Sequence, residues 1–302
     1  MFSRRHPYLF FLLMMTGIIA GSIVVVSVLS FFSGDKAESG FGEKVGIVEV
    51  SGAVLNPEPV IDSLKRFRRA GGIKAIVVRI DSPGGAVGPS QEIYREIRKT
   101  ADKKPVIASM GTISASGGYY IASSADGIMS NPGTITGSIG VIMEYANFRE
   151  LLEKVGVYPV VIKSGEYKDV GSPLREMDKD EKKLLQDFVD GVHSQFVDDV
   201  AEGREMDRKE VAKIADGRIF TGKTAHDLGL VDRLGNQEDA VDWAAEKGGI
   251  KGRPETVRLP EKETSFIKYL LETTAAQVRQ WLAEAETEQI SGGYMYDPGT
   301  RR

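Results

Sequence analysis

The sequence contains no cysteine. Disulfides, thiolate catalysis and cysteine-held zinc are therefore excluded, and the chain suits an oxidising compartment without requiring one. Histidine is scarce as well, at three in 302 residues: His6, His193 and His226. There is no excess of basic charge, since 39 Lys and Arg face 43 Asp and Glu for a net charge of -4. The one basic cluster that stands out, KRFRR at Lys65–Arg69, reads as a solvated helix face, so no nucleic acid partner is expected. Internal repeats are absent too.

What the sequence does have begins at its start. From Tyr8 to Phe32 runs YLFFLLMMTGIIAGSIVVVSVLSFF, 25 residues without a charge. As a helix it would span about 37 Å, enough to cross a bilayer. Arg4 and Arg5 precede it and Asp35 is the first charge after it. The positive-inside bias then leaves the N-terminus in the cytoplasm and carries residues 34–302 across. The run is too long for the apolar core of a signal peptide, and no clear small-x-small cleavage site follows it, so an uncleaved anchor is expected.

The expected organisation is a cytoplasmic N-terminus and transmembrane anchor over 1–33, a linker over 34–43, a catalytic-sized domain over 44–260 and a charged amphipathic tail over 261–302. The tail is expected to pack between subunits. Within the domain, apolar runs alternate with amphipathic ones. KVGIVEVSG, IKAIVVRI and PVIASMG read as strands, and PVIDSLKRFRRA and QEIYREIRKTA as helices. That alternation predicts an α/β fold with parallel strands and crossover helices. Further strands are expected at Gly137–Met143 and Tyr158–Lys163, with a helix at Asn147–Val155. Asp178 with Glu181 forms a capping-box pattern ahead of a long helix. Its stripe of Leu184, Leu185, Phe188, Val189, Val192, Phe196, Val197 and Val200 predicts one buried face. Short helices follow, one through TGKTAHDLG and another near Asn236–Lys247.

Chemistry points to the glycine- and serine-rich strand ends. DSPGG at Asp81–Gly85 follows a buried strand and could present backbone N–H groups to an anion or an oxyanion. No Lys-Ser/Thr follows its glycines in phosphate-loop spacing, and a plain tight turn is the competing reading. Between Met110 and Gly140 lie six serines and seven glycines, interrupted by YYIA and IM. There Ser116 sits at a strand-to-helix corner, followed by Gly117 and Gly118. This follows nucleophile-elbow logic without the G-x-S-x-G spacing, and helix capping is the alternative. A serine nucleophile needs a base. His6 would lie across the membrane from it, and His193 and His226 sit in helical stretches away from the glycine-rich strand ends. That leaves lysine, and VVIKSGEYKDVGSP offers Lys163 and Lys168. A solvated lysine titrates near 10.4, and desolvation by roughly 3–5 units would make one a competent base.

SPGG, SASGGYY, TGSIG and KSGEYKDVGSP, in this order, resemble the signal peptide peptidase A family (peptidase family S49), membrane-anchored serine proteases with a Ser-Lys dyad. The resemblance covers most of residues 44–250, including TGKTAHDLGLVDRLG, and the length matches the short, single-domain form. It implies a ClpP/crotonase-like fold and no cofactor or metal. It implies Ser116 as nucleophile, Lys168 rather than Lys163 as general base, Gly85 and Gly117 as oxyanion-hole donors, and Ser138 as the residue that orients the lysine. It further implies a homo-oligomeric ring whose sites take serine and lysine from neighbouring subunits. Substrates would be remnant signal peptides and other apolar, extended peptides. The catalytic domain would stand outside the cytoplasmic membrane, tethered to the bilayer by the N-terminal helix. Two other readings compete. A crotonase-like acyl-CoA enzyme would need paired carboxylates near the glycine loops, and a membrane-tethered scaffold would need no dyad.

Overall fold

The computed structural model describes residues 43–259, together with Tyr8, residues 14–17 and Gly21. The expected anchor lies almost wholly outside the described residues, and the tail over 261–302 entirely so. Among the described residues no helix is long and apolar enough to cross a membrane. The chain divides into the units Met1–Arg258 and Leu259–Arg302, and every element described belongs to the first.

The β-branched runs become strands because each buries both faces. They form β1 (Lys44–Ser51), β2 (Ile73–Ser82) and β3 (Val106–Ala115), paired in parallel. Residues of one parity, among them Val45, Ile47, Ala75, Val77 and Ile107, pack under α8 (Gln237–Lys247) with Ala240, Val241, Trp243 and Ala244. The opposite face receives α1 (Glu58–Arg69), α2 (Val87–Ala101) and α3 (Gly117–Ala122). There a Cβ at Gly46 would stand 2.7 Å from the Phe67 ring of α1. Helices on both faces of a parallel sheet are the expected α/β class. The KRFRR cluster ends α1, with Phe67 buried and Arg68 paired to Glu96 at 2.7 Å.

The sheet runs β6-β5-β3-β2-β1-β8, with β4 attached beside β3 and β7 beside β4. Here β4 is Gly127–Ser130, β5 Ile135–Gly137, β6 Ile219–Thr221, β7 Arg233–Leu234 and β8 Glu255–Arg258. Among the described strand pairs only β5–β6 is antiparallel. β3 carries two partners on one edge: β4 along Ile107–Ser109 and β5 along Ile113–Ala115. Between them the β2–β3 register shifts, from Ile80 opposite Met110 to Ser82 opposite Ser114. Asp81 stabilises the shift by accepting from the Ile113 N–H at 3.2 Å. Gly111 is required there, because a Cβ would stand 2.8 Å from the Asp81 carboxyl. Such irregularities re-aim a strand end, and this one carries the end of β3 toward β5.

Two expected strands are corrected. After Gly137 the chain leaves the sheet, because Ser138 adopts φ 50°, so Gly137–Met143 is strand only at its first residue. Tyr158–Lys163 forms no strand. No strand among the described residues lies beside it, and an isolated strand would leave its backbone unpaired. The expected helix near Asn147 appears as α4 (Arg149–Lys154). The capping box is formed as read: Asp178 accepts from the Glu181 N–H at 2.8 Å and Glu181 accepts from the Asp178 N–H at 3.1 Å, opening α5 (Lys179–Gly203). The stripe on α5 is buried only at its C-terminal end, by Phe196, Val197 and Val200, while Leu184 and Phe188 are exposed. TGKTAHDLG forms α7 (Gly222–Asp227), preceded by α6 (Arg208–Ile214).

Candidate active site

Ser116 stands where β3 turns into α3, at φ 52° and ψ −120°. An L-residue holds such a conformation only under strain, of order 1–3 kcal/mol, when the surroundings fix it. Here they do. The Ser116 N–H donates to the Gly137 carbonyl at 2.9 Å, and its carbonyl accepts from the Tyr120 N–H at 2.8 Å. The capping alternative is not taken up: Ser116 occupies the N-cap position, yet its side chain makes no capping hydrogen bond. Its half-buried hydroxyl is left without a hydrogen-bond partner among the described residues.

The SPGG turn closes against this corner. Ser82 Oγ accepts from the Gly84 N–H at 3.1 Å, bending the chain. Gly84 sits at φ 106°, and a Cβ on it would lie 2.7 Å from the Gly117 nitrogen. Val54 bridges the next residue: its N–H donates to the Gly84 carbonyl and its carbonyl accepts from the Ala86 N–H, each at 2.9 Å. A parallel bridge of that kind turns the Gly85 N–H to the opposite side, toward Gly117, whose Cβ position is 3.2 Å from the Gly85 nitrogen. Neither the Gly85 nor the Gly117 N–H has a hydrogen-bond partner among the described residues. Two free, neighbouring backbone donors beside an unpartnered serine hydroxyl make an arrangement able to hold an oxyanion.

The β3–β5 register places Ser138 one residue beyond the Ala115–Gly137 pair, alongside Ser116. Its N–H is held by the Arg218 carbonyl at 2.8 Å, and its hydroxyl has no partner among the described residues. Lys168 lies exposed on a 3-10 turn, Glu166–Asp169, and hydrogen-bonds neither Ser116 nor Ser138. Lys163 is engaged in another way, donating to the Glu166 carbonyl and to Asp169 Oδ1, both at 2.6 Å. The structure thus brings together Ser116, Gly117, Gly85 and Ser138, while Lys168 is exposed and is not among the residues that line the cleft beside Ser116.

A cleft of about 110 Å³ opens beside Ser116 and Gly117. Its walls include Val87, Ile142, Val192 and Phe196, with Ser90, Gln91 and Tyr120 between them. Sequence reasoning missed these, apart from Val192 and Phe196 as helix-stripe residues, because their meeting depends on how α2, α3 and α5 pack. Tyr120 is held by Asp199, to which its hydroxyl donates, and its ring stands 4.9 Å from Phe196 and 5.0 Å from Tyr94. Burial first, then Asp199, pushes the Tyr120 phenol above its ordinary range, and burial raises Tyr94 to about 12. Neither phenol can act as a base near neutrality. Among the described residues no carboxylate, histidine or lysine lines the cleft. His193 is not among its walls, and His226 is exposed beside Asp227. A histidine triad is therefore not assembled among the described residues, and the paired carboxylates of an acyl-CoA hydratase are missing from the cleft.

Residues 98–251, just over half of the chain, match Peptidase family S49. The chain belongs to that family. It is a serine peptidase. A protein of Synechocystis sp. carried under a protease name, slr0021, is 49% identical over 219 residues, covering 72% of this chain and 78% of that one. The chloroplastic serine protease SPPA of Arabidopsis thaliana is 36% identical over 206 residues, and protease 4 of Haemophilus influenzae 33% over 214. The match covers 68% and 67% of this S49 peptidase but only 30% and 34% of those relatives, so the chain spans about a third of their length. Among solved structures, a mutant of the 1510-N membrane-bound stomatin-specific protease aligns at TM-score 0.48 and 16% identity, covering 72% of this chain and 98% of that one. A ClpP1 mutant from Listeria monocytogenes aligns at 0.46 and 17%, covering 65% and 94%.

Proposed function

We propose that this S49 peptidase is an endopeptidase in which Ser116 is the nucleophile and Lys168, supplied by a second copy of the chain, is the general base. The observation that carries the reading is Ser116 itself. It is a strained, unpartnered serine at a strand-to-helix corner, with the free N–H groups of Gly117 and Gly85 beside it. In the proposed reaction the Lys168 amine takes the Ser116 Oγ proton as that oxygen attacks the scissile carbonyl. The carbonyl oxygen becomes an oxyanion received by Gly85 and Gly117. The amine returns the proton to the leaving nitrogen as the C–N bond breaks. A water deprotonated by Lys168 then cleaves the ester and frees Ser116. Ser138, next to Ser116, would orient the amine.

Two observations support a second copy. Among the described residues the cleft has no base of its own, and a lysine serves as a base only when water is kept from it. The segment that carries Lys168 is also unusually apolar for a surface, with Ile142, Leu151, Val155, Tyr158, Val160 and Ile162 all exposed, the last at 96%. Patches of that kind mark association sites, and a ring of copies would cover the patch and Lys168 together. A ClpP/crotonase-type variant of the α/β fold fits the oxyanion donors at the strand ends.

The apolar cleft walls fit extended apolar peptides, including remnant signal peptides. The charge-free run from Tyr8 to Phe32 supports a single-pass anchor with the catalytic domain outside the cytoplasmic membrane. In spheroplasts of a bacterial host, added protease should then digest the domain while the membrane stays sealed. Protection of the domain would refute that topology.

The site assignment is tested with a serine-reactive fluorophosphonate followed by peptide mapping. The label is expected on Ser116. Labelling of a different serine, or none at all on assembled, folded protein, would remove the reading.

A further inference from the structure

Between Glu144 and Met177, among the described residues, the side-chain hydrogen bonds close within the segment or onto the start of α5. The turn bearing Lys168 is therefore positioned by its own polar contacts and not by the sheet. Those contacts converge on Asp169, the residue after Lys168. Its Oδ1 accepts from Lys163 Nζ at 2.6 Å and its Oδ2 from Arg175 Nε at 2.8 Å. The backbone is gripped at both ends of the turn. Lys163 also reaches the Glu166 carbonyl at 2.6 Å, and Arg175 Nη2 reaches the Asp169 carbonyl at 3.3 Å. Lys168 lies between these two holds.

Arg175 is fixed in turn. It forks onto both oxygens of Glu181, whose side chain is 4% exposed and which closes the capping box of α5 with Asp178. A planar guanidinium held on two carboxylates has little freedom left. Arg175, then Lys163, holds the Asp169 carboxyl well below the usual carboxylate range, and Arg175 lowers Glu181 to about 2. The network is therefore charged at neutral pH.

We propose that Asp169, clamped between Lys163 and Arg175, is a positioning residue that sets where the Lys168 amine is delivered. The inference rests on the Ser116–Lys168 reading. It also explains what Lys163 does: its ammonium is committed to the turn, so it acts as a strut and not as a second base. The chain Lys163–Asp169–Arg175–Glu181 ties the turn to the rigid start of α5. Removing the Asp169 carboxylate leaves two cations facing an uncharged amide and frees the turn to rotate. Misplacement of a reacting group by about 1 Å can lower turnover by about 100-fold.

The test uses the full chain and an internally quenched peptide of signal-peptide sequence, with Lys168→Ala as reference. Asp169→Asn is expected to lower kcat by about 10–100-fold with KM changed less than about twofold, at unchanged assembly. Arg175→Gln should also lower kcat, and the double variant should lose less than the two single losses multiplied, because both changes break the shared Asp169–Arg175 contact. Asp169→Glu should recover part of the loss. Should Asp169→Asn fail to assemble, Lys163→Met is read instead, since it leaves the Arg175–Glu181 fork intact, and it should lower kcat without raising KM. If these variants keep wild-type kcat while Lys168→Ala is inactive, the clamp is refuted and the Ser-Lys reading stands. If Lys168→Ala is itself fully active, the dyad falls and the clamp with it.

Discussion

Ser116→Ala should abolish peptide cleavage, with kcat falling by at least about 10⁴-fold, the scale seen when a serine nucleophile is removed. Residual turnover would come from substrate binding and the oxyanion donors alone. The change deletes one oxygen that has no hydrogen-bond partner among the described residues, so folding should be untouched. A companion variant sharpens the expectation. Ser116→Gly should be equally inactive but more stable, by about 1 kcal/mol, because glycine adopts φ 52° and ψ −120° without the penalty that serine bears. The pair is checked by steady-state cleavage and by urea unfolding. An active Ser116→Ala protein would show that another group attacks the substrate. An inactive Ser116→Gly protein that is less stable than wild type would show that the serine is not held under strain.

The second large effect concerns assembly. Ser116→Ala and Lys168→Ala proteins, each inactive alone, should regain activity when co-assembled. If each site joins Ser116 of one copy to Lys168 of the next, random one-to-one mixing in a closed ring makes about a quarter of the sites competent. Co-expression with two affinity tags, followed by cleavage assays on the doubly tagged fraction, measures the regained activity. Silence of the mixed particles would place both dyad members in one chain, requiring the Lys168 turn to fold back onto its own cleft. The structure motivates this choice of experiment: Lys168 is exposed and does not hydrogen-bond Ser116, while Ile142, Val160 and Ile162 stand uncovered on the same segment.

Much of the fold was legible in the sequence because its signals are local. The strands β1 to β3 are β-branched runs long enough to be buried on both faces, and nothing else in a chain of this kind accommodates them. The Asp178–Glu181 capping box formed because both partners lie within one turn of helix. The expectations for Tyr158–Lys163 and for the α5 stripe did not carry over in the same way. Both segments have the right composition, yet a strand needs a neighbour and an apolar stripe needs a cover, and the described residues provide neither for them. Their apolar character remains visible as exposed Val160, Ile162 and Phe188.

The site divides along the same line. Sequence by itself determined that a serine and two glycines stand at the end of a buried strand, that no cysteine could serve, and that no histidine adjoins those glycines. It also limited the plausible bases to two lysines five residues apart. Tertiary structure alone decided that the Ser116 hydroxyl is free instead of capping α3, since that depends on ψ at one corner. It decided that the Gly85 amide faces Gly117, because Val54 occupies the other side of the turn. It also gave the two lysines different surroundings, binding Lys163 to Asp169 and leaving Lys168 exposed. Side chains three to six residues apart on an irregular loop have no fixed relation to one another until the loop is folded, and only the folded chain carries that relation.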